Sequence, residues 1–193
     1  PIYLAFDVTS VEHQKLFTWQ MRFGGGLAIV PVALAVLIGL FRAERASKTM
    51  SPCHAALLSS LLLFGAGGVI GFMIQGSDVR VPAHYHGSIV GITLALMGLT
   101  YALLPRLGFG APLPRMATWQ PAIYGAGQLM HITGLVWSGG YGVQRKVAGA
   151  EQVLRISSEV AGMALMGAGG LVAVIGGLIF AIVVLRVLRR GKT

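Results

Sequence analysis

The sequence predicts an all-α protein that crosses a membrane several times, and three observations lead there. Hydrophobic residues fill 55% of its 193 positions and charged residues 11%, with a mean hydropathy of +0.75. Five apolar runs, 24–41, 55–74, 81–104, 116–137 and 160–185, are each long enough, or nearly so, to cross a hydrocarbon core of about 30 Å. Breakers separate them: Ser51-Pro52, Gly76-Ser77-Asp78, Pro105, Pro112 to Pro114, and Gly139-Gly140. The 28 glycines fit the same reading, since helices in lipid approach closely through small residues. The single cysteine, Cys53, excludes a disulfide within the chain. The net charge of +9 is carried by short loops and the C-terminal tail, a pattern of membrane topology that gives no reason to expect nucleic acid.

Residues 1–23 are too polar to span and read as an outer-side interfacial segment, with Phe17, Trp19 and Phe23 on lipid. Residues 24–193 then form a five-helix membrane region. Because the chain opens on Pro1 with no initiator methionine, a processed chain or a piece of a longer one is expected. Pro31 should kink the first span, with neighbours re-satisfying the freed carbonyl. Charge sets the orientation. The loops 42–50 and 105–115 and the tail hold nine basic residues against Glu44, a net +8. The opposite side, which includes Asp78, Arg80, Arg145 and Lys146, holds six basic against five acidic residues, a net +1. By the positive-inside rule the first side, with the C-terminus, is cytoplasmic.

The most informative feature lies near the start of the third run, at His84-Tyr85-His86. At about 100° per residue, positions i and i+2 leave a helix roughly 200° apart. Two such imidazoles cannot chelate one ion, which takes i, i+3 or i, i+4 spacing, but they can serve two separate iron centres on either side of one helix. Ligating groups at membrane depth are costly, so a pair this close is a functional signal.

The flanks give that pair a context. The run Gly67-Gly68-Val69-Ile70-Gly71 through Val81-Pro82-Ala83-His84-Tyr85-His86 resembles subunit I of the haem–copper oxidase superfamily, in which a glycine-rich ninth helix precedes a tenth that opens on a His-aromatic-His signature. Tyr101 with Leu104-Pro105-Arg106 is similar to the end of that tenth helix. His131-Ile132-Thr133-Gly134-Leu135 up to Gln144-Arg145-Lys146 resembles the eleventh helix and the basic pair beyond it, and Phe6-Asp7-Val8 with Ala28-Ile29-Val30-Pro31 resembles the entry to the eighth. The likeness covers essentially the whole chain as the last five of twelve helices. It implies that His84 is the axial ligand of a high-spin haem where oxygen or nitric oxide is reduced, and that His86 ligates the low-spin haem feeding it electrons. It also implies that Arg145 and Lys146 neutralise haem propionates, carboxylates at a low-dielectric edge. Partners implied are the N-terminal helices of subunit I (or a separate chain supplying them), other oxidase subunits, a cytochrome c or quinol donor, and lipid. The membrane implied is an energy-transducing one, such as a bacterial inner membrane.

The sequence also departs from the family. Gln144 stands in place of a proline and Lys146 in place of a second arginine, a point charge where a bidentate fork is usual. The connection from Gly76 to Val81 is short and lacks a His-Asp pair. The run 32–36 offers only apolar side chains where a channel lysine is usual. In that family three copper-ligating histidines and the second axial ligand of the low-spin haem come from earlier helices that this sequence does not contain, so the resemblance implies that any copper has its ligands outside this chain.

Plainer readings exist for each residue. His84 and His86 also fit two histidines at a helix start, bonded to backbone or facing water. His131 reads as a mid-helix histidine donating to a carbonyl of a neighbouring helix, His13 and His54 as solvated, and Arg145 and Lys146 as loop charge. Trp137 fits a haem edge or an interfacial anchor, and the glycines at 87, 91 and 98 admit a helix or a macrocycle. For the whole chain, the alternatives are a membrane electron-transfer haem subunit without copper or gas reduction, and a transporter or structural subunit without haem.

Overall fold

The computed structural model describes residues 2–46, 51–147 and 153–191. Lys48, Glu151 and Lys192, which enter the charge balance, lie outside the described residues. The chain forms two compact units, Pro1–Lys48 and Thr49–Thr193.

In the first unit a short helix α1 (Ile2–Ala5) leads to a turn built on Asp7. Its carboxylate accepts from the Thr9 amide (2.8 Å) and hydroxyl (2.5 Å), and these bonds hold the carboxyl below its usual range. Ser10 then caps α2 (Val11–Trp19), its Oγ accepting from the His13 amide at 3.2 Å. The helix does not stop at the glycines that follow. It widens into a π-helical stretch, Gln20–Gly25, and continues as α3 (Gly26–Ala46), with Pro31 inside it. No break therefore marks the boundary expected at residue 23. In a hydrocarbon setting a break there would leave backbone groups unpaired at several kcal/mol each, which outweighs the cost of about 1 kcal/mol for a glycine in a helix. His13, expected to be solvated, is buried. Its ring lies 5.2 Å from Tyr3 and 4.7 Å from Phe17, and its Nδ1 is 3.3 Å from the Phe6 carbonyl. Phe17 thus closes on Tyr3 and His13, while Trp19 and Phe23 are exposed and touch each other.

The second unit is four helices in up-and-down order: α4 (Pro52–Met73), α5 (Arg80–Arg106), α6 (Pro114–Gly140) and α7 (Ser157–Arg189). Ser51 caps α4 with Pro52 at its first turn. The antiparallel hairpins α4–α5 and α6–α7 are the tightest pairs, and α6 also packs on α4 and α5. Glycines make both hairpins close. A Cβ on Gly67 would lie 2.5 Å from the Ser88 amide, and one on Gly134 would fall on the Gly162 carbonyl and the Met166 amide. Lipid tails are as apolar as leucine, so such contacts rather than water exclusion hold helices together. Leu63, Leu94 and Ile132 fill the centre and are fully buried. One buried polar knot joins three helices. The Tyr101 hydroxyl donates to Gln120 Oε1 (3.0 Å), and Gln120 Nε2 donates to the Gly176 carbonyl (3.2 Å) and meets Met97 Sδ at 3.4 Å.

Four stretches are long and apolar enough to cross a membrane: Val11–Arg42, Pro52–Met73, Arg80–Arg106 and Ser157–Arg189. The protein is therefore all-helical in its described residues, without strands, and multi-pass. The fifth expected run lies in α6, which has the length at 27 residues but no window so apolar. That difference has a packing reason: α6 is the helix set against three others, and it carries Gln120, Gln128 and His131 in its middle.

Candidate functional site

One end of the second unit collects the C-terminus of α4, the start of α5, the end of α6 and the start of α7. There the loop before α5 pairs with the loop after α6. Asp78 bridges to Gln144, the Val79 amide donates to the Val143 carbonyl at 3.1 Å, and Arg145 Nε donates to Ser77 Oγ at 2.9 Å. Asp78 sits at the N-terminus of α5, where a carboxylate suits the helix dipole. It accepts from the Arg80 amide at 2.8 Å and is gripped by the Arg80 guanidinium, with Nε 3.0 Å from each oxygen. That grip holds the Asp78 carboxyl below the usual carboxylate range.

His84 and His86 stand in the first turns of α5 just above this brace and address different neighbours. His84 is half-buried against α4, its Nδ1 2.7 Å from the Gly67 carbonyl. The ring occupies the space left by the missing side chain of Gly71, where a Cβ would lie 3.0 Å from Nδ1. His86 is exposed, its Nδ1 2.9 Å from the Pro82 carbonyl one turn back on its own helix. On its flank lies the ring of His131 from α6, at a centroid distance of 4.7 Å and a tilt of 44°. His131 in turn has Nδ1 3.0 Å from the Met166 carbonyl of α7.

A carbonyl oxygen can only accept, so each of these bonds places the proton on Nδ1. In its neutral form each of the three imidazoles then carries its lone pair on Nε2. A histidine ligand needs this state: one nitrogen anchored by a carbonyl that fixes the ring and raises its basicity, the other available to iron. His84 and His86 therefore fit axial ligation in their chemistry, and they do so toward two different faces of α5. Among the described residues no three His, Cys, Asp or Glu side chains come together as a metal site.

The other candidates fall out unevenly. Arg145 is half-buried and commits its Nε to Ser77, whereas Lys146 is exposed with φ at +63°, a left-handed backbone uncommon for lysine. Both lie at the same end of the unit as the histidines. Trp137 is about half exposed. Gly87, Gly91 and Gly98 are filled by α4, at Gly67, Phe64 and Ala56 respectively, so the helix side of that alternative holds for them. His131 does donate to a neighbouring helix. Its place beside His86 is the feature the sequence reading missed, although the register contains it. Met97 meets Gln120, and eleven residues back along α5 and eleven forward along α6 are His86 and His131. Gln128, one turn before His131, was also passed over; its Oε1 is buried with no hydrogen-bond donor among the described residues.

No family model and no solved structure matches the chain. It is similar to an uncharacterized protein of Rickettsia prowazekii (strain Madrid E), 31% identical over 215 aligned residues that cover 92% of this chain and 42% of that protein. It is also similar to an uncharacterized protein of Aquifex aeolicus (strain VF5), 32% identical over 108 residues that cover 56% of this chain and 26% of that protein. The chain thus spans less than half the length of each relative it matches.

Proposed function

We propose that this chain is the C-terminal haem-binding part of a haem–copper oxidase-like subunit I, acting as a terminal respiratory oxidase or nitric oxide reductase within a larger assembly. The observation that carries the reading is the pair of carbonyl-anchored imidazoles, His84 on the α4 face of α5 and His86 on the α6 face, each with Nε2 free for iron. His84 is the ligand at the gas-reducing centre, and the Gly67 carbonyl sets its ring. His86 is the ligand at the low-spin centre. Arg145 and Lys146 stand at the same end as cations for propionates. When bound, the two haems supply electron transfer at one centre and reduction of O2 or NO at the other, and the protein's share is ligation, orientation and burial. Copper, if the assembly holds it, is ligated outside this chain.

In this reading α6 is the fifth span, shielded by its neighbours, and the five spans belong to a twelve-helix bundle. The remaining helices come from the same polypeptide or from a partner; the greater length of both relatives leaves room for them there. The donor is a quinol or a cytochrome c, the membrane a bacterial inner membrane, and the strongly basic side with the C-terminus faces the cytoplasm. The apolar run 32–36 and the short connection before α5 favour one second reading, a membrane electron-transfer haem subunit without gas chemistry. A dithionite-reduced spectrum of the purified native complex, with and without carbon monoxide, tests both. A carbon monoxide-sensitive band beside a sharp low-spin α band supports the oxidase reading. A low-spin band alone supports the second, and absence of haem absorbance refutes both.

A further inference from the structure

His86 is exposed, and among the described residues its ring hydrogen-bonds to its own helix, at Pro82. That bond fixes which nitrogen is free and ties the ring to its own helix, but to nothing beyond α5. The restraint from outside α5 is His131. It is half-buried, tied through Nδ1 to the Met166 carbonyl of α7, and lies against the His86 ring at 4.7 Å and 44°. The backbone at that point of α7 is itself locked onto α6, since a Cβ on Gly169 would fall on the His131 amide. A ring fixed to the α6–α7 pair thus defines the flank against which His86 rests.

We infer that His131 is a positioning residue of the His86 site, setting the plane of the His86 imidazole; the inference rests on the haem reading above. The distance excludes a simpler role as the second axial ligand. Two imidazoles trans to one metal, with bonds of about 2.0–2.1 Å and ring centres about 1 Å behind each nitrogen, stand roughly 6 Å apart. At 4.7 Å the rings touch each other with no room for a metal plane between them. What His131 supplies is ring contact, the offset and tilted packing by which flat side chains hold one another in place. The orientation of an axial imidazole governs how it mixes with the iron orbitals, so the effect reaches the low-spin spectrum and potential rather than haem content.

The test uses the native complex with His131→Ala and His131→Phe, the second keeping a ring where the first leaves space. Three readouts are taken: the reduced α band, the low-temperature electron paramagnetic resonance of the oxidised low-spin haem, and its midpoint potential. The expected result is an α band of wild-type intensity in both variants, with g-max and potential displaced in His131→Ala and largely restored in His131→Phe. If g-max and potential stay at wild-type values in His131→Ala, the inference is overturned. The same holds if wild type carries a zinc or copper ion that His131→Ala loses while the haem signals stay put, since the pair is then an ion site. Absence of any low-spin haem from wild type sinks the haem reading itself, a separate outcome.

Discussion

Replacing Gly67 by alanine links packing to the site within a single residue. The new Cβ meets the Ser88 amide at 2.5 Å, the Gly87 carbonyl carbon at 2.8 Å and Ser88 Oγ at 2.8 Å, two of the three being backbone that cannot swing aside. Restoring ordinary contact of 3.4 Å requires α4 and α5 to part by about 0.9 Å at this point. The same movement carries the Gly67 carbonyl from 2.7 Å to about 3.6 Å from His84 Nδ1, beyond hydrogen-bond range. Overpacking of this kind costs about 1–3 kcal/mol and a lost hydrogen bond about 0.5–1.5 kcal/mol, so Gly67→Ala is expected to destabilise by roughly 2–4 kcal/mol. It should also release the His84 ring. Gly68→Ala is the control, one residue along the same helix with nothing within 4 Å of the added methyl. The assay is unfolding of the purified protein in detergent by circular dichroism, paired with the carbon monoxide difference spectrum of the native complex. The midpoint and the carbon monoxide-sensitive band should both fall for Gly67→Ala and neither for Gly68→Ala. Equal tolerance of the two substitutions would refute the close approach and the anchoring of His84 with it.

Two further predictions concern the frame around the site. Gln120→Leu strips the Tyr101 hydroxyl of its acceptor between three helices and is expected to cost about 0.5–2 kcal/mol in detergent unfolding, with Tyr101→Phe costing no more. Asp78→Asn weakens the brace beneath α5 by about 1–2 kcal/mol at neutral pH, read in the same assay. Its pH dependence has a definite sign. The Asp78 carboxyl is depressed in the folded state, so its contribution is complete above the ordinary carboxyl value of about 4 and is lost as pH falls through the lowered value. Wild type should therefore lose stability on acidification below about pH 4 more steeply than Asp78→Asn, and parallel curves would count against the pairing.

The helices of the second unit were legible because apolar runs between prolines and glycines leave little choice in lipid. Their ends fall within a few residues of the expected runs, as with 55–74 against Pro52–Met73. The first unit was harder. The boundary expected at residue 23 leaves no break in the helix, because the π-helical stretch carries the backbone through Gly24 and Gly25 and the alternative is unpaired amides. His13 reads as solvated because Phe17, one turn on along α2, covers only part of it, and Tyr3 reaches it only once α1 folds back. The two faces of His84 and His86 follow from helical geometry alone. The anchors of His84 and His131 do not, since the Gly67 and Met166 carbonyls belong to other helices, and the Arg145–Ser77 contact spans 68 residues. Contacts of that kind depend on interhelical register, which a single sequence does not print.

The central claim is that His84 and His86 serve two different haems. It is tested most directly by comparing dithionite-reduced spectra, with and without carbon monoxide, of the native complex and its His84→Ala and His86→Ala variants. Loss of the carbon monoxide-sensitive band in His84→Ala alone, and of the sharp low-spin α band in His86→Ala alone, is the predicted result. Spectra that are unchanged in both variants contradict it.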